Sequence, residues 1–307
     1  MVYREILPDA RLRPLVRAYW QVAEFHTVEE EEHRMMPEGL LRLIFYAGSS
    51  WQRSSLLGTL ERLPEATLSG LTLAPQRMVS RGLALGVELY PWGARQLFGW
   101  KLASEQLDLS LDWPILTRTV CALLELGAWD EARHIVEDWL LKLWTERGRE
   151  PSWSVKAAGQ LYQSLGQSRL GRLAEEYEVS QRQLERLFLQ DVGVNAKTLA
   201  RLIRFEEVHN RLWRTPKASL AQLSYELGFA DQAHLSRDFR AMTQMTPGAF
   251  AHMVQSTLTL PSRAQDESSR WLSSGFSNGS PSQTQDILLA LPTLPPDMDV
   301  INGSDSV

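Results

Sequence analysis

The feature that most constrains the fold is a helical pattern that occurs twice in the second half of the chain. The first copy is LGRLAEEYEVSQRQLERLFLQDVG at 170–193, and the second is LAQLSYELGFADQAHLSRDFRAMTQ at 220–244. Each copy combines a short amphipathic run, a tight turn and a second amphipathic run at helical spacing. Aligned at an offset of 51 residues without a gap, the copies predict two helix–turn–helix units.

Residues at the expected helix ends support this prediction. Ser180 followed by Gln183 forms a capping-box pattern, so a helix should begin directly after the serine. Asp231 is a suitable N-cap for the second helix of the second copy. Gly228 stands where the turn of that copy needs a positive φ. The pair Thr246-Pro247 predicts the start of one further helix.

The outward faces of the two second helices carry side chains that suit the major groove of DNA. Arginine pairs with guanine and glutamine with adenine, while an alanine contacts the thymine methyl group. A solvated helix face can carry Arg and Gln by chance, but two copies with matching positions favour DNA binding. The outward residues are Arg182, Glu185, Arg186 and Leu189 in the first copy, and Gln232, Ala233, Ser236, Arg237 and Arg240 in the second.

This segment resembles the DNA-binding domain of AraC-type (AraC/XylS) transcription regulators over residues 160–254. The stretch GFADQAHLSRDFRAMTQMTPGAF at 228–250 is the most specific part of the match. The resemblance implies seven helices, with a long helix at 196–213 joining the two units. It also implies that the two recognition helices enter successive major grooves of a promoter or operator, about 34 Å apart. RNA polymerase is a further candidate partner.

The resemblance assigns roles to single residues by position. It implies base contact for Arg182, Glu185, Arg186, Gln232, Ala233, Ser236 and Arg237. It implies phosphate contact for Lys197, Arg201, Arg240 and the amide end of the helix after Thr246.

Three positions depart from the family pattern. Glu178 stands where the first turn usually has glycine, and a non-glycine residue at positive φ costs roughly 1–2 kcal/mol. Glu185 places a carboxylate in the first outward face, where it can accept from cytosine N4 or oppose the approach of phosphate. Asn195-Ala196 replaces a Ser-Pro helix start, although asparagine still caps. The alternative hypothesis is a degenerate member whose helical segment binds protein instead of DNA.

The first ninety residues are rich in strand signals. The runs LLRLIFYAG at 40–48 and RGLALGVELY at 81–90 predict buried strands. The landmarks of this part resemble the uncharacterised, cupin-like N-terminal domain often found ahead of AraC-type domains. That resemblance implies a small β-barrel that senses an effector or mediates dimerisation, so a small-molecule effector and a homodimer are candidate partners. The landmarks are Pro14, Trp20, Pro37-Glu38-Gly39, Ile44-Phe45 and Gly93-Ala94.

We therefore predict an α+β protein: a β-rich, barrel-like (cupin-like) domain with helices, followed by an all-α domain with two helix–turn–helix motifs. The expected divisions are a β-rich sensor domain at 1–92, a helical linker or dimerisation region at 93–150, the DNA-binding domain at 151–255 and a disordered tail at 256–307. The tail is rich in Ser, Gln, Pro and Gly, a composition that cannot bury enough apolar surface to fold. The net charge is −5, but residues 168–253 hold 12 Lys and Arg against 10 Asp and Glu.

Several other classes of protein are disfavoured. The single Cys121 lies in an apolar helical run, which indicates packing, and it excludes multi-cysteine zinc sites. His26 and His33 flank acidic residues without a recognised metal spacing, so an acidic surface loop is preferred to the third hypothesis, a cupin-type metalloenzyme. We expect no enzyme activity, catalytic residue, metal or cofactor.

The apolar runs of the sequence are all short, which bears on where the protein is expected to act. No signal-peptide core occurs in the first thirty residues, and no apolar run has the length of a membrane span. We therefore expect a cytoplasmic protein without a membrane partner.

Nine of the 11 tryptophans precede residue 154. They are expected to pack in the core or at a dimer face, with an aromatic-lined pocket as the alternative.

Overall fold

The structure is a computed structural model that describes residues 2–24, 31–55, 57–99, 106–147 and 152–259. Within these ranges, eight strands form one sheet. They are β1 (Val2–Ile6), β2 (Val16–Glu24), β3 (Glu31–Met35), β4 (Leu41–Ser55), β5 (Glu61–Arg62), β6 (Ala66–Ser69), β7 (Gln76–Leu89) and β8 (Gln106–Asp108). The strand order is β1-β2-β7-β4-β6-β8, with β3 paired to β7 and β5 paired to β4, and all pairs are antiparallel.

Eleven helices occur in the described part of the chain, mostly after the sheet. They are α1 (Pro91–Phe98), α2 (Leu109–Asp112), α3 (Pro114–Glu125), α4 (Trp129–Arg147), α5 (Trp153–Gln163), α6 (Leu170–Glu176), α7 (Gln181–Val192), α8 (Ala196–Arg214), α9 (Leu220–Glu226), α10 (Gln232–Thr243) and α11 (Pro247–Thr259). The predicted α+β fold, with a sheet-rich N-terminal domain and a helical C-terminal domain, is confirmed.

The two faces of the sheet bury different sets of side chains. Phe45 pairs in register with Leu85, and both belong to the main core that the sheet shares with the helices. The adjacent pair, Ile44 and Gly86, faces the opposite side of the sheet, as alternation along a strand requires. Trp20 lies there, and a Cβ on Gly86 would be only 2.0 Å from its ring. Glycine is therefore needed at this position.

Helix α3 covers part of the sheet through a packed cysteine. Cys121 is buried, and its thiol donates to the backbone oxygen of Tyr46 at a sulfur–oxygen distance of 3.4 Å. Burial raises the pKa of this thiol to about 12, so it is protonated and unreactive at neutral pH. The predicted packing role of Cys121 is confirmed.

Aromatic rings fill the junction between the sheet and the helices. Trp92 is fully buried and stacks on Tyr90 with ring centroids 4.9 Å apart. Phe98, Trp113 and Trp139 form a second cluster, with centroids 5.2–5.9 Å apart. For these tryptophans the structure agrees with the interpretation as packing residues.

The structure differs from the predicted divisions in two details. The region at 93–150 is not wholly helical, because β8 lies within it and pairs with β6. A three-residue strand is too short to leave a recognisable alternation in the sequence. Residues 256–259, expected in the tail, continue α11. The rest of the tail, the predicted boundary at 148–151 and His26 lie outside the described residues, and His33 lies on β3.

Candidate nucleic-acid interface

Two helix–turn–helix units form the C-terminal domain: the first unit is α6–α7 and the second unit is α9–α10. Their turns have the same backbone hydrogen bonds. The amide of Val179 donates to Ala174 in the first unit, and the amide of Phe229 donates to Ser224 in the second, both at 2.9 Å. The two turns are therefore closely alike.

Glu178 adopts the left-handed conformation that its turn requires. Its φ is 51°, and that of Gly228 in the second unit is 68°. Glutamate in place of the usual glycine therefore leaves the turn unchanged, and the Glu178 side chain is exposed to solvent. The cost is local backbone strain of roughly 1–2 kcal/mol.

The gap-free offset of 51 residues is wrong at the turns. The positive-φ residues Glu178 and Gly228 are 50 positions apart, whereas the N-caps Ser180 and Asp231 are 51 apart. The second turn thus has one additional residue before its N-cap. The alignment of α7 with α10 is unaffected, because both helices have 12 residues and both begin at glutamine.

The predicted N-caps are present at all four helix starts. The Gln183 amide donates to the Ser180 hydroxyl at 3.2 Å, and the Ser180 amide donates to the Gln183 side chain at 3.0 Å. This is the expected capping box. The other three caps accept from the backbone three residues ahead at 2.6–3.1 Å; they are Asp231 for α10, Asn195 for α8 and Thr246 for α11.

The inward faces of α7 and α10 match residue by residue. Leu184 and Phe188 are fully buried in α7, and Leu235 and Phe239 hold the corresponding positions in α10. This packing fixes which side of each helix faces solvent. Of the predicted base-contacting residues, Ser236 is half-buried and the others are exposed: Arg182, Glu185 and Arg186 on α7, and Gln232, Ala233 and Arg237 on α10.

The cationic side chains on these faces are available to an anion. Among the described residues, no ion pair involves Arg182, Arg186, Arg237 or Arg240. Lys197 is also exposed, in the first turn of α8. Free guanidinium groups can pair with base edges or phosphates without first breaking an internal contact.

Arg201 differs from the other predicted phosphate contacts. Its Nη2 donates to Asp238 Oδ1 at 3.1 Å, and its side chain is 35% exposed. Asp238 Oδ2 also lies 3.6 Å from His234 Nε2. Asp238 was not among the predicted site residues, because its partner Arg201 is 37 residues away and no local sequence pattern relates the two.

Helix α8 joins the two units through a buried apolar side. The imidazole of His209 packs against Phe250 and Phe205, with ring centroids 4.6 and 5.7 Å apart. Burial lowers its pKa to about 3, so the ring is neutral at physiological pH. The long helix predicted at 196–213 is confirmed at Ala196–Arg214, and its packing holds α10 and α11 in place.

Among the described residues, no group of three or more His, Cys, Asp or Glu is placed to hold a metal ion. No helix in that part of the chain combines the length and apolarity needed to cross a membrane.

Two family models match the chain. Residues 173–253 match a helix-turn-helix domain, and residues 4–108 match a domain of unknown function, DUF6597. The second match ends at the last residue of β8. None of the curated proteins matches the chain.

Several solved structures are similar. Crystal structures of ToxT from Vibrio cholerae include one at 14% identity that covers 74% of this chain and 97% of ToxT, with a TM-score of 0.41. The C-terminal domain of AraT, a response regulator from Geobacillus stearothermophilus, is 24% identical and covers 34% of this chain and 88% of its own, with a TM-score of 0.31. With TM-scores below 0.5, it is the family models that identify the domains.

Proposed function

We propose, from the premise that residues 173–253 are an AraC-type helix-turn-helix domain preceded by a DUF6597 domain, that this chain is a sequence-specific, DNA-binding transcription regulator. Its two recognition helices, α7 and α10, would enter successive major grooves of one duplex. Such a regulator acts in the cytoplasm on promoter DNA, near RNA polymerase.

The observation that carries the proposal is the pair of matched, unoccupied helix faces. Arg186 and Arg237 hold corresponding positions on α7 and α10, and both are exposed. Each lies in the N-terminal half of a capped 12-residue helix, where major-groove contacts are made. Because α8 packs against both units, its position sets the separation of the two faces.

The proposed base contacts follow from side-chain chemistry. Arg182, Arg186 and Arg237 would donate to guanine, Gln232 to adenine, and Ala233 would contact a thymine methyl group. Glu185 would accept from cytosine N4, and Ser236 can donate or accept. These contacts would provide the sequence preference of the protein.

The proposed phosphate contacts surround these faces. Lys197 and Arg240 are exposed cations, and the start of α11 after the cap Thr246 would attract a phosphate through the positive end of the helix dipole. Arg201 is held by Asp238, so we assign it a positioning role for α10 in addition to phosphate contact. Such contacts fix register and orientation without selecting a sequence.

The N-terminal sheet domain would control this DNA-binding domain. We propose that an effector or a second copy of the chain acts through it to change the placement of the two recognition helices. If dimers were lost in solution while full operator affinity remained, control by dimerisation would be excluded.

Selection from a random duplex pool, followed by anisotropy titrations at two salt concentrations, tests the function. The proposal predicts one enriched motif and an affinity that falls steeply with salt, because neutralised phosphates release counterions. The matched comparison is a scrambled duplex of equal length, which should bind with the same kind of salt dependence but far more weakly. Absence of enrichment and of a salt slope would favour the protein-interaction hypothesis.

A further inference from the structure

One contact between the sheet domain and the DNA-binding domain is made by the backbone of Gly39. The amide of Gly39 donates to Glu206 Oε2 on α8 at 3.3 Å. Its carbonyl oxygen accepts a hydrogen bond from the hydroxyl of Tyr162 on α5. Both polar backbone groups of one residue in the sheet domain are thus used by side chains of the helical domain.

Close approach explains why glycine stands there. A Cβ on Gly39 would lie 3.0 Å from the Tyr162 hydroxyl oxygen, 3.3 Å from Glu206 Oε2 and 3.8 Å from Ile203 Cγ1. The first two distances are tighter than most Cβ contacts, so a side chain here would have to push the Tyr162 hydroxyl and the Glu206 carboxylate away. The turn itself is held in place, because the Glu38 amide donates to Thr72 at 3.1 Å and the Glu38 carboxylate pairs with Arg42.

The ring of Tyr162 strengthens the same junction. It meets Tyr90 and Trp92 edge-on, with centroids 5.3 and 5.8 Å apart. These two residues lie at the start of α1, directly after the central strand β7. Tyr162 therefore connects α5 to the sheet domain through both its hydroxyl group and its ring.

A second contact reaches the first recognition helix. Arg95 on α1 pairs with Asp191 near the end of α7 at 3.0 Å, and it also donates to the backbone oxygen of Gln190. The sheet domain thus contacts α5, which precedes the first unit, α7 of that unit, and α8, which joins the two units.

Glu206 is a half-buried acid among other acids. The carboxylates that act on it are Glu38 and Glu88, and Arg17 is the cation. Arg17 is paired with Glu88 and Glu5, and Arg42 with Glu38. The hydroxyls of Tyr162 and Tyr90 are two further titratable groups at the junction.

We propose that Gly39, Tyr162 and Glu206 form an interdomain latch, through which the sheet domain sets the position of α8 and so the placement of α7 relative to α10. The latch is a feature of the folded chain whether or not it binds DNA. Its effect on operator binding rests on the proposed function.

The latch should depend on pH through Glu206. Burial, and after it the charge of Glu38, raises the pKa of this carboxyl to about 8. The raised pKa applies to the closed latch, in which Glu206 contacts Gly39. Protonation of Glu206 therefore stabilises the closed latch; this stabilisation is complete below the ordinary pKa of 4.5 and is lost as pH rises through about 8. Between these limits, opening should increase by up to about tenfold per pH unit. The pKa of Glu38, raised to about 7 by burial, acts in the same direction.

Hydrogen–deuterium exchange of the full chain tests the latch without DNA. Peptides covering Gly39 and residues 203–209 would be followed at pH 6 and pH 8, with rates divided by the intrinsic rate at each pH. The wild type should lose protection at pH 8. Glu206→Gln keeps an acceptor oxygen without the ionisable group, so its loss of protection should be several-fold smaller. An equal pH dependence in both proteins would overturn the role of Glu206.

Two glycine variants test the geometry. Gly39→Ala should increase hydrogen–deuterium exchange in these peptides at both pH values, because the added Cβ displaces Tyr162 and Glu206. Gly171→Ala is the matched control, since nothing lies within 4 Å of a Cβ on that exposed glycine, and it should exchange like the wild type. Tyr162→Phe removes only the hydroxyl and should give an intermediate result. Equal protection in Gly39→Ala and Gly171→Ala would overturn the latch.

DNA binding then separates the two proposals. Both the latch and the DNA-binding function are supported if the wild type selects an operator and Gly39→Ala either selects DNA sites with altered spacing or binds the operator more weakly. A wild type with the predicted exchange behaviour but no DNA binding would leave the latch standing and overturn the function.

Discussion

The guanidinium of Arg201 on α8 donates to the carboxylate of Asp238 on α10, with Nη2 3.1 Å from Oδ1. This pair holds the second recognition helix on the helix that joins the two units. It also neutralises a carboxylate that would otherwise stand close to the proposed DNA surface. Asp238 therefore contributes to both the placement of α10 and the local charge.

Asp238→Asn should loosen specificity while strengthening non-specific binding. The change frees Arg201 for phosphate and removes a negative charge, so the slope of log K against log salt on scrambled DNA should steepen by about one. Stability should fall by less than about 1 kcal/mol, because the pair is partly exposed to solvent. Anisotropy and urea unfolding measure the two effects. Unchanged slopes on scrambled and selected DNA would contradict the assignment.

Arg237→Ala should remove one base contact. We expect a loss of about 1–3 kcal/mol on the selected operator and a relaxed preference at a single base pair. Repeating the selection with the variant measures both. Arg118→Ala on α3, an exposed arginine outside the proposed interface, is the control and should leave the motif intact. If Arg237→Ala also preserves the motif, α10 does not contact bases through this residue.

Lys197→Ala should weaken all sequences about equally. A phosphate contact carries no sequence information, so the selected motif should persist. The salt slope should become shallower by about one. Titrations of operator and scrambled duplex measure this. A variant that changed the motif instead would show that Lys197 contacts a base.

Glu178→Gly should stabilise the first unit without changing its turn. Relief of the left-handed conformation at φ 51° gains roughly 1–2 kcal/mol, and the greater freedom of glycine in the unfolded chain offsets part of it. We expect a net gain of about 0.5–1 kcal/mol in urea unfolding, with operator affinity unchanged. Gly228→Ala, the corresponding change in the second unit, should destabilise. A destabilised Glu178→Gly would mean that the glutamate side chain has a structural role.

Local features of the helical domain could be predicted from the sequence. The caps at Ser180, Asp231 and Thr246 depend on residues only a few positions apart, so their patterns can be recognised directly, whereas the long helix α8 was expected from the family resemblance. The positive φ of Glu178 followed from the family resemblance, because the first turn of the family usually has glycine at this position. The buried partners Leu184 and Leu235 then determined which residues face outward.

Contacts between distant residues could not be predicted. Arg201 and Asp238 are 37 residues apart, and Gly39 and Glu206 are 167 apart, so no periodicity relates them. The strand β8 was missed because three residues are too few for an alternation to be recognised. The additional residue in the second turn was missed because matching apolar residues on either side of it hid the change of offset from 50 to 51.

Hydroxyl-radical footprinting of the full-length protein on the selected duplex tests the central claim most directly. The account predicts two protected blocks on one face of the DNA, about one helical turn apart, with Arg186→Ala and Arg237→Ala each weakening a different block. A single protected block, or two blocks that both respond only to Arg237→Ala, would contradict the claim that both α7 and α10 enter major grooves.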